Sequence, residues 1–240
     1  MDRAALLDVD GTLMDANYQH MLAWYRAFRE HGIVLPLWRI HAAVGMGGDQ
    51  LVPALVGDEV DADNGDEIRE TRDRIFEGLI EEIVPLPGAR ELISALLDRD
   101  VRVVLASSSP EEEIERYLEL LDVRSLVDDW TTKDDVARTK PEPDLVRAAL
   151  EKAGEADAVM VGDTVWDVEA AGKLGIPTVC VLTGGRSREE LERAGAVAVY
   201  ESLEQLVDGL DESPLIMQPQ SAPAAASAGP RRPESTAAID

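Results

Sequence analysis

Short apolar runs recur along this chain, and amphipathic stretches lie between them. Ala4-Ala5-Leu6-Leu7, Val101–Ala106, Ala158–Val161, Thr178–Leu182 and Ala196–Tyr200 each read as a strand, with a weaker one at Asp129–Thr132. Helical spacing fills the intervals at about Gly88–Asp98, Pro110–Leu121, Pro143–Lys152, Trp166–Leu174 and Arg188–Ala194. Apolar strands alternating with amphipathic helices predict parallel βαβ units. The expected fold is α/β, a Rossmann-like open parallel sheet covered on both faces.

Residues 15–85 break this rhythm. Tyr18–His31 carries Met21, Trp24, Tyr25 and Phe28 three or four apart, the spacing of one helix face. Further helices are expected at about Leu37–Val44, Gln50–Leu55 and Asp66–Ile83, and the acidic stretch Gly57–Asp66 as a solvated loop between them. The segment reads as an inserted α-helical domain, 15–85, between the two parts of a core formed by 1–14 and 86–212, with Pro85–Gly88 as the return hinge. Residues 213–240 are rich in Pro, Ala and Ser and are expected to be a disordered tail outside the fold.

Composition narrows the partners. The 240 residues include 48 acidic and 23 basic ones, a formal charge of −25, which disfavours nucleic acid and anionic membranes. No apolar run reaches the ~18–20 residues of a membrane span, and no secretory signal is evident. The single cysteine, Cys180, sits in an apolar run and is expected to be buried. A cytoplasmic protein is the expectation. Oligomeric state is not legible.

The chemistry lies where apolar runs end. Asp8 and Asp10 follow the first run, and residues i and i+2 of an extended segment share a face. Burying carboxylates is costly unless they are paired or bind a metal. Ser107 follows the second strong run, Asp163 the third, and Asp167 comes four residues later. Lys140 stands in Thr139-Lys140-Pro141-Glu142-Pro143-Asp144. In an open parallel sheet, ligands bind beyond the carboxyl ends of the strands, so these residues should converge there. Carboxylates without Cys or His beside them suit a hard oxygen-preferring cation, Mg²⁺. A hydroxyl and a lysine beside them suit phosphoryl oxygens.

In the inserted segment, Asn17, His20 and Trp24 are spaced to share one helix face. That face is either a wall against substrate, or Trp24 is helix core and His20 a rim residue. The glycine-rich turn Gly45-Met46-Gly47-Gly48-Asp49 is a candidate substrate loop or a plain connection; His41 reads as surface. Ser107 is also a candidate cap for the helix opened by Pro110, a job that Ser108 or Ser109 could do instead.

These motifs, in this order, resemble the haloacid dehalogenase-like hydrolase superfamily: Asp8-Val9-Asp10-Gly11-Thr12, Ser107 after its strand, Lys140 in Lys-Pro-x-Pro, and Gly162-Asp163-Thr164-Val165-Trp166-Asp167. The helical insert is similar to the superfamily's C1-type cap. The resemblance implies that Asp8 is the nucleophile, forming an aspartyl-phosphate, and Asp10 the acid/base. It implies that Ser107 and Lys140 contact the phosphoryl group. It also implies that Asp8, Asp10 through its backbone carbonyl, and Asp163 hold Mg²⁺, with Asp167 an outer ligand or a support through water. His20, Met46, Gly47 and Ser108 are the candidate substrate-binding residues. The implied activity is hydrolysis of a small phosphorylated metabolite, similar to phosphoglycolate phosphatases. The alternatives are a hexose-phosphate mutase resembling β-phosphoglucomutase, and a non-catalytic scaffold on the same fold. Where that mutase's cap turn carries an arginine, this turn carries Asp49, which would repel a second phosphate.

Overall fold

A computed structural model describes residues 3–154 and 156–217. The sheet has six parallel strands: β1 (Arg3–Leu7), β2 (Val101–Ala106), β3 (Asp129–Thr131), β4 (Asp157–Gly162), β5 (Thr178–Val181) and β6 (Ala198–Tyr200), in the order β3-β2-β1-β4-β5-β6. β1 lies between β2 and β4, and successive strands are added outward from it in opposite directions. The crevice at its carboxyl end is therefore the topological switch point.

The apolar character of β1 follows from that central place. Ala5 and Leu7 pack into a core on one face of the sheet, and Ala4 and Leu6 into a second core on the other. Alternate residues of a strand point to opposite faces, so a strand covered on both must be apolar throughout.

Between β1 and β2 lie α1 (Asn17–Glu30), α2 (Leu37–Ala43), α3 (Gly48–Val56) and α4 (Asp58–Glu77). They share a core of their own that includes Trp24, Phe28, Ile40, Leu51 and Ile68. The chain enters and leaves this layer on neighbouring segments. Asp15 N donates to Val84 O at 2.9 Å, and Leu86 N to Leu13 O at 2.8 Å. The remaining helices are α5 (Ala89–Leu97), α6 (Glu111–Leu121), α7 (Asp144–Lys152), α8 (Val165–Gly172), α9 (Arg188–Ala194) and α10 (Leu203–Asp208).

Four expectations are corrected. The acidic stretch after Gly57 is helical and forms the first half of α4. Asp58, Glu59 and Asp61 stand in its first turn, where the helix dipole favours negative charge. Arg69, farther along, neutralises Asp61 at 2.7 Å and Asp66 at 2.9 Å. His41 is half-buried rather than on the surface. It stacks on Tyr18 with ring centroids 5.4 Å apart, and Arg186 caps the carbonyls of His41 and Ala42 at 3.1 and 2.7 Å. The helix α10 had no counterpart among the expected elements. Finally, the chain does not leave the fold at Ser213. Leu215 is 2% exposed in the main core, with Ile216 packed against it. The rest of the expected tail, 218–240, lies outside the described residues. Cys180 is buried as expected.

Candidate active site

The first loop turns at Gly11, whose φ of +82° is left-handed. A Cβ there would come within 2.5 Å of Asp163 Oδ2 and also strike Asn17, so glycine is required for conformation and for space. The turn brings Thr12 back beneath the strand end. Thr12 Oγ1 donates to Asp163 Oδ1 at 3.0 Å and lies 3.2 Å from Asp8 Oδ2. Asn17, from the start of α1, donates to Asp163 Oδ2 at 2.7 Å. A residue of the helical layer thus buttresses a carboxylate of the sheet.

Lys140 is the electrostatic centre. Its buried Nζ lies 2.5 Å from Asp8 Oδ1 and 2.6 Å from Asp167 Oδ1. The other oxygen of Asp167 accepts from Thr164 N at 3.1 Å and Thr164 Oγ1 at 2.6 Å, closing a capping box at the head of α8. Both oxygens of Asp167 are therefore engaged. Burial lowers the Lys140 pKa, but Asp167 and Asp8 more than reverse this and keep the ammonium charged. Burial raises the Asp8 pKa well above the carboxylate range against the pull of Lys140. Asp163 is pushed up to about 7 by burial and by the charge of Asp167.

One ammonium cannot compensate three buried carboxylates, and the upward shifts of Asp8 and Asp163 express that shortfall. Single oxygens of Asp8, Asp163 and Asp167 lie within 4.8 Å of one another, and all three residues are buried. Oxygen donors, burial and uncompensated charge together fit a hard divalent cation.

A cavity of about 320 Å³ opens above this cluster, between the sheet edge and the helical layer. Asp8, Asp10, Ser107, Ser108, Lys140, His20, Met46 and Gly47 all line it; Asp163 and Asp167 are wholly buried and do not. Asn17, His20 and Trp24 line it together, and Trp24 also belongs to the helical core. Ser107 Oγ accepts from Ser109 N at 3.0 Å. Gly47 serves a close approach, since a Cβ there would collide with Thr139. Asp49 accepts from Thr139 N at 3.1 Å and also from its hydroxyl, so this acid is committed to the residue beside Lys140.

Asp10 is gripped from both sides. His20 Nε2 is 3.1 Å from Asp10 Oδ1, close though not aligned as a hydrogen bond. Arg72 from α4 donates to His20 Nδ1. Arginine carries only donors, so Nδ1 accepts and the proton of His20 sits on Nε2, facing Asp10. His20 stacks on Phe76 at 4.2 Å, and the Arg72 guanidinium lies 4.5 Å over the same ring. Burial raises the Asp10 pKa, but His20, Arg72 and Lys140 outweigh it and hold Asp10 below the usual carboxylate range. On the opposite side Ser109 Oγ lies 3.3 Å from Asp10 Oδ2.

Sequence reasoning missed Thr12, Ser109, Glu113 and Arg72. Thr12 follows the first motif directly and Ser109 ends the serine run, so position alone was a signal for both. Glu113 and Arg72 sit in charged helical stretches where nothing distinguishes an inward residue from a solvated one.

A haloacid dehalogenase-like hydrolase model matches residues 3–175. The chain is 39% identical over 126 residues to the phosphoglycolate phosphatase of Rhodospirillum rubrum, a match covering 52% of this chain and about half, 52%, of that relative. It is 26% identical over 216 residues to the phosphorylated carbohydrates phosphatase of Thermotoga maritima, covering 87% of this chain and 98% of that one. Among solved structures it is similar to a hydrolase from Pseudomonas syringae, with 35% identity and a TM-score of 0.81 over 88% of this chain and 98% of that one. Motifs, topology and family match agree: this chain belongs to the haloacid dehalogenase-like hydrolases.

Proposed function

We propose that this enzyme is a Mg²⁺-dependent phosphatase of small phosphorylated metabolites, similar to phosphoglycolate phosphatases, and that it works through an aspartyl-phosphate on Asp8. The observation that carries this reading is Lys140, buried between Asp8 and Asp167 beside a cavity that also takes in Asp10, Ser107 and Ser108. Relatives named as phosphatases support the same reaction class.

An oxygen of Asp8 attacks phosphorus while Lys140 neutralises charge on the carboxylate and phosphoryl group. Ser107 donates its hydroxyl to a phosphoryl oxygen. The bond from phosphorus to the ester oxygen breaks, and that oxygen takes a proton from Asp10. Water then attacks the aspartyl-phosphate and gives its proton to Asp10, releasing inorganic phosphate and restoring Asp8. The low pKa of Asp10 in the resting arrangement suits this second half. For the first half Asp10 must carry a proton, so its contact with His20 is exchanged when substrate binds.

Asp8, Asp163 and the backbone carbonyl of Asp10 would hold the Mg²⁺, which supplies positive charge against phosphoryl oxygens. With both its oxygens engaged, Asp167 contributes by fixing Lys140 rather than as a direct ligand. The helical layer 15–85 acts as a cap, hinged on the paired segments near Leu13–Ala16 and Ile83–Gly88, that excludes water during attack.

The test is phosphate release from a panel of phosphorylated metabolites that includes 2-phosphoglycolate. Release should require Mg²⁺ and disappear in Asp8→Asn with the fold retained. Full release in metal-chelated protein, or a product that is only an isomerised sugar phosphate, would overturn the reading.

A further inference from the structure

α6 opens with three glutamates, Glu111, Glu112 and Glu113, and acids in a first turn are ordinarily accounted for by the helix dipole. Glu111 and Glu112 meet that need while exposed to water. Glu113 does not share their surroundings: it is only 8% exposed and turned inward behind Asp10.

A buried carboxylate is costly unless strongly compensated. No basic side chain pairs with Glu113 among the described residues. Its hydrogen-bond partners are two hydroxyls, Ser109 Oγ at 2.5 Å and Tyr117 Oη at 3.3 Å, both donating to Oε1. Tyr117 is itself fully buried, one helical turn farther along α6. This is an expensive arrangement for a helix cap, and it converges on a single serine.

Ser109 has one proton to give. The shorter contact, to Glu113, takes it and fixes the serine rotamer. In that rotamer Ser109 Oγ rests 3.3 Å from Asp10 Oδ2. With its proton given to Glu113, Ser109 Oγ presents a lone pair to Asp10 Oδ2 and accepts from that oxygen when the Asp10 carboxyl is protonated, so the two oxygens of Asp10 face groups of different origin. His20, on Oδ1, comes from the helical layer. Ser109, on Oδ2, comes from the loop after β2 and is anchored by α6 of the core. Exchange of the His20 contact then leaves the protonated oxygen of Asp10 oriented by Ser109.

We propose that Glu113 is a positioning residue for the acid/base step: through Ser109 it keeps the Asp10 carboxyl oriented while the His20 contact is exchanged. The proposal rests on the phosphatase reading above. Glu113 touches neither substrate nor phosphorus, and its effect passes through the Ser109 hydroxyl.

The test uses leaving-group demand. An alkyl ester needs the proton of Asp10 for its leaving oxygen, whereas p-nitrophenolate leaves without one. First-turnover rates are measured on the full chain with 2-phosphoglycolate, or whichever alkyl phosphate the wild type turns over, and with p-nitrophenyl phosphate. Glu113→Ala and Ser109→Ala should each slow the alkyl ester about tenfold or more, a fraction of the 10²–10⁴ typical of general acid catalysis. The first-turnover release of p-nitrophenol should stay within about threefold. Glu113→Gln retains an acceptor oxygen and should restore the alkyl rate to within about threefold of wild type. If Glu113→Ala does not fold, Ser109→Ala and Glu113→Gln decide the matter. Equal losses on both esters, no loss on the alkyl ester, or a Glu113→Gln variant as slow as Ser109→Ala would overturn the proposal. Wild-type protein that turns over neither ester would instead count against the phosphatase reading.

Discussion

Lys140 neutralises a buried cluster that is otherwise all carboxylate. Removing one partner of a buried pair costs roughly 3–5 kcal/mol, because the remaining charge is left uncompensated. Lys140→Met should lower the stability of the metal-free protein by about that amount, read from urea unfolding, and Mg²⁺ should recover part of the loss. Stability equal to wild type without metal would mean that Lys140 is not what keeps a buried carboxylate charged. The cavity-lining Asp8, Asp10 and Ser107 were legible in the sequence because they stand at or just past the ends of apolar runs, where a carboxylate or serine has no packing reason to be, and Lys140 by its Lys-Pro-x-Pro context. Their supports were less legible. Thr12, Asn17, Ser109 and Glu113 act through distances of 2.5–3.3 Å across separate elements, and no one-dimensional pattern encodes that approach.

At the scale of elements, the strands were readable because burial on both sheet faces leaves only apolar side chains at β1 after Arg3 and few polar ones at β2, β4 and β5. The start of α4 was not readable. Its acids mimic a solvated loop, and the ion pairs from Arg69 that stabilise it lie three and eight residues away. The turn at Gly45–Asp49 also acquires a different meaning. Asp49 fastens the helical layer to Thr139, and Gly47 leaves room for the Thr139 side chain. A hydrogen bond to a charged acceptor is worth about 1.5–3 kcal/mol. Asp49→Ala should therefore reduce kcat/KM about tenfold or more, and by similar factors for alkyl and aryl esters, since Thr139 neighbours Lys140 rather than the leaving group. A loss confined to alkyl esters would return the turn to a role in reading substrate.

For the whole molecule, the correction at the carboxyl end has a measurable consequence. The Pro- and Ser-rich composition from Ser213 onward hides Leu215, which inserts into the main core beside α10. Losing a buried leucine costs about 2–5 kcal/mol. A chain ended after Glu212 should thus melt several degrees below the full chain, and Leu215→Ala should show much of that loss; an unchanged melting temperature for both would mean that 213–217 do not dock. No helix among the described residues is long and apolar enough to cross a membrane. Against the overall charge of −25, the cavity is balanced: Lys133, Lys140, Arg69 and Arg72 line it together with Asp8, Asp10, Asp49 and Asp73.

The central claim is that Asp8 becomes covalently phosphorylated. Its most direct measurement is rapid acid quenching of the enzyme during turnover, followed by peptide mass spectrometry. The account predicts a phosphoryl group on Asp8 that forms within the first turnover, decays as phosphate appears, and is absent from Asp8→Asn. Steady phosphate release with no phosphorylated peptide at any quench time, or with the phosphoryl group on another residue, would contradict it.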